Sequence, residues 1–213
     1  MKAYGVASKN YTSQIEAKGD TYTQIDGTFP TTNILCKDNP HKQEFIESKY
    51  VLDFGCGVGR NLRAVLENTN AVYVGVDPNK TMLSYFWETQ KQLGINEDDV
   101  KNRVLLFDSL DNIPKDIMFD YVISTFVMQH LGYRYGETYD LDTITDKIKE
   151  RTHSKAVWFL LEHDSEEDWI ERWLLSNNIK LEVFIAGYKG LPELCERDYT
   201  TNGSGHHLMI FKA

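Results

Sequence analysis

Cysteine is scarce in this chain: Cys36, Cys56 and Cys195 are the only three, and they stand far apart. None belongs to a Cys-x-x-Cys pair or to a Cys/His cluster of metal-ligand spacing, so neither a metal site nor a disulfide framework is expected. Such usage suits a reduced intracellular protein. Long apolar runs are lacking as well. No stretch approaches the ~18 residues of a membrane-spanning helix, and Met1-Lys2-Ala3-Tyr4-Gly5-Val6 holds no apolar signal core. The expectation is a cytoplasmic protein without membrane contact. Positive charge is also thin. The formal net charge is -9, and the densest basic stretch, residues 147–155, is interrupted by Glu150 and preceded by Asp146, as on a solvated helix face. That balance speaks against nucleic acid as a partner.

What remains suits one domain. The 213 residues are 41% hydrophobic, enough for a sizeable core, with no internal repeat and no low-complexity segment. From residue 50 onward, short β-branched runs alternate with helical stretches. Residues 51–54, 71–76, 104–107, 121–124 and 156–161 read as strands, mostly continuous apolar runs of the kind that parallel strands show when covered on both faces. Residues 60–67, 80–93 and about 141–151 read as helices between them, the pattern of βαβ units. An amphipathic helix is expected over 166–177, capped by Ser165, followed by two strands over 180–187 and 206–211. The sum is an α/β fold with a seven-stranded sheet. Residues 21–40 read as loop and 41–49 as a short helix, so 1–49 is set apart as an N-terminal extension that could cap a site, with 50–213 as the main domain.

The segment Asp53-Phe54-Gly55-Cys56-Gly57-Val58-Gly59-Arg60 carries the most chemistry. A strand ends in an acid, breaks into alternating glycines and turns helical, the grammar of a nucleotide-type site at a helix start. A dinucleotide fingerprint needs Gly-x-Gly-x-x-Gly, and here Arg60 holds the place of the third glycine. Asp53 is a poor neighbour for pyrophosphate and a good one for an amine or another cation.

Asp53 to Gly59 resembles the first motif of the class I, Rossmann-like S-adenosylmethionine-dependent methyltransferases. The resemblance has specific landmarks over residues 50–131 and extends to 156–211 as strand pattern only. It implies a three-layer sheet, mostly parallel with an antiparallel last strand, and S-adenosylmethionine as cofactor. By resemblance the backbone around Gly55 and Cys56 meets the amino-acid end, and Gly57 and Gly59 of the same loop are counted among the cofactor-binding residues. Cys56 reads as a small residue filling the turn rather than a nucleophile. Asp77 ends the second strand and matches the acid that binds the ribose diol; the rival reading makes it the cap of a helix with Pro78 in its first turn. Met82, one turn on, serves either the core or the ligand. Asp108, at the third strand end, matches the acceptor for the adenine amino group, with the amide of Ser109 facing the ring; the rival is a solvated turn. Thr125 ends the fourth strand, on the cofactor edge.

Methyl transfer from a sulfonium asks chiefly for alignment and a water-poor site. His130, in the loop after the fourth strand, is the candidate base, with plain packing as its alternative. His206 and His207 read as structural. No Asn/Asp-Pro-Pro-aromatic quartet and no Pro-Cys pair follows the fourth strand, which removes the marks of DNA-base methylation. The expected activity is methyl transfer to oxygen or nitrogen of a small molecule. A methyltransferase of RNA or protein and a silent cofactor binder are the alternatives. Tyr11, Tyr22, Tyr133, Arg134 and Tyr135 are candidate substrate contacts beside an ordinary surface role.

Overall fold

The structure, a computed structural model, describes Leu35 and residues 39–125, 127–131, 141–163, 169–186 and 206–213. The candidate substrate contacts at Tyr11, Tyr22 and 133–135, and the cap at Ser165, lie outside the described residues. In chain order the elements are α1 (Lys42–Glu47), β1 (Tyr50–Phe54), α2 (Leu62–Asn68), β2 (Val72–Val76), α3 (Lys80–Ser84), α4 (Phe86–Gln92), α5 (Glu97–Val100), β3 (Val104–Phe107), β4 (Phe119–Thr125), α6 (Met128–Leu131), α7 (Leu141–Lys149), β5 (Thr152–His163), α8 (Trp169–Ser176), β6 (Val183–Ala186) and β7 (His206–Lys212).

The strands form one sheet in the order β3-β2-β1-β4-β5-β7-β6. Neighbours from β3 to β5 pair in parallel, and β7 runs antiparallel to both β5 and β6. All other strands therefore share one direction, and β7 alone opposes them. Alternation along each strand divides the core in two. Leu52, Val74, Val122, Trp158, Leu160 and Met209 face α7 and α8. Val51, Tyr73, Ile123, Phe159 and Ile210 face α1, α2 and α4. This is the α/β Rossmann-like arrangement. Completely buried side chains such as Phe159 and Leu160 each contribute on the order of 1.5–3 kcal/mol. No described helix is long and apolar enough to cross a membrane.

One local departure from the sequence pattern has a physical cause. The helix expected over 80–93 breaks at Tyr85 into α3 and α4. The Ser84 hydroxyl donates to the Thr81 carbonyl, and the Tyr85 N–H is shared between Thr81 and Met82 carbonyls, which tightens that turn. The chain ahead of β1 is also tied to the body. Leu35 and Phe45 are buried in the core, Asn39 donates to the Tyr121 hydroxyl at 2.7 Å, and Phe45 meets the Tyr121 ring edge-on. His41 bridges Glu44 at 3.0 Å and Glu182 at 2.7 Å.

Candidate cofactor site

Parallel strands place their carboxyl ends side by side, and the acidic positions gather there. Asp53 stands opposite Gly75 and Ile123 in register. Asp77 follows β2 directly, and its N–H donates to the Phe107 carbonyl, joining the ends of β2 and β3.

The glycine loop is held from two sides. Gly55 has φ +73° and Gly59 φ +86°, backbone that side chains resist. A Cβ at Gly55 would collide with Val127, and one at Gly59 with the Phe86 ring. Gln90, buried on α4, donates to the carbonyls of Val58 at 2.6 Å and Gly59 at 3.2 Å. Space for Cys56 comes from Gly75, where a Cβ would lie 2.9 Å from the Cys56 sulfur. The Cys56 thiol is buried, and that burial pushes it well above its ordinary range, so it fills the turn and stays protonated.

The loop's N–H groups are engaged within the protein. Those of Gly55 and Cys56 both donate to the Val76 carbonyl, at 2.7 and 3.1 Å, and that of Gly59 to the Cys56 carbonyl at 2.8 Å. That of Gly57 donates to Asp77 Oδ2 at 2.9 Å. These four amides are therefore taken up within the protein before any ligand arrives.

Asp77 does not cap the following helix. Its Oδ1 accepts from the Asn79 N–H at 2.8 Å, and Asn79 is the cap, accepting from Thr81 and Met82 N–H groups. Pro78 sits in the turn between them. Burial raises the Asp77 pKa above the ordinary carboxylate value, against the pull of the two backbone donors. Met82 is buried against Val58 and Tyr85, and its Cε would lie 3.1 Å from a Cβ at Gly57, so it packs under the loop.

Asp53 lies wholly beneath the surface. Tyr73 donates its hydroxyl to Oδ2 at 2.6 Å, and Asn61 donates its amide to Oδ1 at 3.0 Å and to the Thr125 hydroxyl at 3.2 Å. Burial raises the Asp53 pKa to about 6, with the Asp77 charge adding to it and the two hydrogen bonds opposing. Asn61 occupies the N-cap position of α2 without capping it. Its own Oδ1 is buried with no partner among the described residues. A cap residue turned away from its helix forgoes about 1 kcal/mol, which is the kind of local rule that functional sites break.

Toward β3, Asp108 is half-buried. Lys80 approaches its Oδ2 at 3.1 Å and Asn112 donates to Oδ1 at 2.6 Å, and these partners, Lys80 foremost, hold its pKa below the ordinary value. The Ser109 hydroxyl accepts from the Asp111 N–H and starts the short turn at 110–112. On the other side, β4 continues after Thr125 into α6, whose backbone carries His130. Glu162, buried near the end of β5, accepts from the N–H groups of Val127 and Met128.

Sequence reasoning missed Asn61, Tyr73, Gln90 and Glu162. Asn61 stood directly after the loop, and Glu162 interrupted an apolar run. Tyr73 and Gln90 carried no local signal, because their partners are 20 and 31–32 residues away.

Fold, glycine loop and strand-end carboxylates together make a Rossmann-like sheet with its acidic positions gathered at the carboxyl edge. A family model described as a methyltransferase domain matches residues 52–152. Those 101 of the 213 residues are similar to methyltransferase domains, and the fold is the Rossmann-like one of S-adenosylmethionine-dependent methyltransferases. It is 29% identical over 154 residues to the tRNA U34 carboxymethyltransferase of Pseudoalteromonas atlantica, across 62% of this chain and 46% of that protein. The chain thus spans about half the length of that relative. Solved structures that share its fold include two methyltransferases. One is the 1,6-didemethyltoxoflavin-N1-methyltransferase of Burkholderia thailandensis (TM-score 0.62, 15% identity, 97% of this chain and 87% of that one), bound to its named substrate and S-adenosylhomocysteine. The other is the magnesium protoporphyrin IX methyltransferase of Synechocystis with bound S-adenosylmethionine (TM-score 0.61, 15% identity, 100% of both chains).

Proposed function

We propose that this protein transfers a methyl group from S-adenosylmethionine to oxygen or nitrogen of a small-molecule acceptor. The observation that carries this reading is the donor set of the loop. Amides of Gly55, Cys56, Gly57 and Gly59 are engaged internally, while Asp53, Asp77 and the unpartnered Asn61 oxygen are acceptors. A pyrophosphate needs the reverse, free amides at the loop. An ammonium, a sulfonium and a ribose diol need acceptors, so these residues fit that cofactor.

When bound, S-adenosylmethionine supplies an electrophilic methyl carbon; the chain's part is to hold, align and exclude water. Asp77 keeps lone pairs beyond those taken by Gly57 and Asn79, and would hold the ribose hydroxyls. Asp53, Asn61 and Thr125 would form the floor under the amino-acid end. Asp108, with Ser109 beside it, would take the adenine side in competition with Lys80. His130 is the base where an acceptor's proton must leave early.

A second reading, RNA as acceptor, has its own support in the tRNA relative. The expectation against nucleic acid rested on overall charge, and a net charge of -9 does not bar a local contact surface. Incubation with methyl-labelled S-adenosylmethionine and a cell extract, followed by separation into small-molecule, RNA and protein fractions, tests both. Label in the small-molecule fraction supports the first reading and label in tRNA the second. An unlabelled extract beside a cofactor-bound protein would leave a binder without turnover.

A further inference from the structure

Glu162 is a carboxylate in a place that favours apolar groups. It follows Trp158, Phe159, Leu160 and Leu161 on β5, and the whole residue is buried. Burying a carboxylate is costly unless donors surround it. Here the donors are well defined. Its Oε1 accepts from the Met128 N–H at 3.1 Å, the Val127 N–H at 3.4 Å and the Ser124 hydroxyl at 3.4 Å. Helix α6, with four residues, is far too short to be stable alone. The path of the chain after β4 is therefore set by what holds residues 127 and 128.

Val127 connects this hold to the cofactor side. Its Cβ and both methyl groups lie where a side chain at Gly55 would be. Contact runs from β5 through the backbone at 127 and 128 to the first glycine of the loop. Gly55 has no Cβ, so Val127 closes directly on loop backbone.

We propose that Glu162 is a positioning residue: it fixes the segment after β4 against the glycine loop, and thereby sets one wall of the cofactor cavity and the backbone position of His130. This rests on the methyltransferase reading above. Glu162 works here as a hydrogen-bond acceptor, its Oε1 taking three donors. Glutamine can present the same oxygen to the same three donors, and leucine cannot.

The test uses the full chain with Glu162→Gln, Glu162→Leu and Val127→Ala. Amide hydrogen exchange is followed over residues 124–131, and S-adenosylhomocysteine is titrated by calorimetry. In Glu162→Leu, exchange at 127 and 128 should quicken and S-adenosylhomocysteine affinity fall, each about 10-fold or more, as expected for buried donors left unsatisfied. Glu162→Gln should restore both to within about 3-fold, since the acceptor is kept. Val127→Ala should weaken binding while leaving the two amides protected. Wild-type exchange or wild-type affinity in Glu162→Leu would overturn the proposal, as would a Glu162→Gln chain impaired like the leucine variant. If Glu162→Leu fails to fold, unchanged affinity in Val127→Ala overturns it. A wild-type chain that binds no S-adenosylhomocysteine would defeat the methyltransferase reading instead, and the exchange arm would still decide whether Glu162 holds the segment.

Discussion

Asp53 and Glu162 are both fully buried carboxylates at the carboxyl edge of one sheet, yet they lie on opposite faces and are held differently. Asp53 shares its face with Tyr73 and takes its hydrogen bonds from side chains, the Tyr73 hydroxyl and the Asn61 amide. Glu162 alternates with Trp158 and Leu160 on the face toward α7 and α8, and takes its bonds from backbone N–H groups and Ser124. Burial raises the Asp53 pKa and its two side-chain donors pull it back, so its charge is set by a balance that a ligand can shift. Backbone donors fix a path of the chain. The cofactor half of the site is thus organised around charge and the β4–β5 half around position.

The contrast can be broken most severely at the loop. Gly59→Ala forces an alanine to φ +86° against Phe86 and Gln90, which should cost roughly 2–5 kcal/mol from strain and overpacking. Thermal unfolding should then shift down by about 5–15 °C. An unmoved transition would mean that α4 does not brace the loop. Next in size, Asp77→Ala should weaken S-adenosylmethionine binding about 10- to 100-fold by removing a charged acceptor. It should also erase most of the rise in melting temperature that the cofactor gives the wild-type chain. Retention of the full rise would remove Asp77 from the ribose role.

Asp53 supplies a sharper test, because its role is electrostatic. Its folded-state pKa is raised to about 6, so its neutral form stabilises the folded chain. That contribution is complete below the ordinary carboxylate value and is lost as pH rises through about 6. A cationic ligand favours the charged form instead. Affinity for S-adenosylmethionine should therefore climb about 3- to 10-fold between roughly pH 5 and 7. Asp53→Asn should flatten that climb while the fold persists; an unchanged slope would assign the pH dependence elsewhere. The smallest effect belongs to Glu44, far from the loop. Its pKa is lowered to about 2, chiefly by His41. The stability it lends is present above the ordinary value and fades as pH falls from there toward about 2. The pair is partly exposed, so Glu44→Gln should cost only a few tenths of a kcal/mol at neutral pH, read as a slight loss of denaturant midpoint.

The two halves also differ in how far the sequence discloses them. The loop, Asp77 and Asp108 are strand-end features, visible because a run of apolar residues stops at each of them. Asp53 is visible too, but its enclosure is not, since Tyr73 reaches it from the neighbouring strand. Asn61 stands next to the loop in sequence, and only packing turns its amide toward Asp53 and Thr125. Glu162 gives a signal, a charge closing an apolar strand, without naming its partners 34 and 35 residues away. Pattern reveals which residues are buried and where strands end. It does not reveal which buried polar groups find each other across elements.

The central feature of the site is a loop with four engaged amides, set among groups that accept hydrogen bonds. Parallel calorimetric titrations of the wild-type chain with S-adenosylhomocysteine and with a nicotinamide dinucleotide test that most directly. Saturable binding of S-adenosylhomocysteine with no heat from the dinucleotide is the predicted result. Binding of the dinucleotide, with none of S-adenosylhomocysteine, would contradict it.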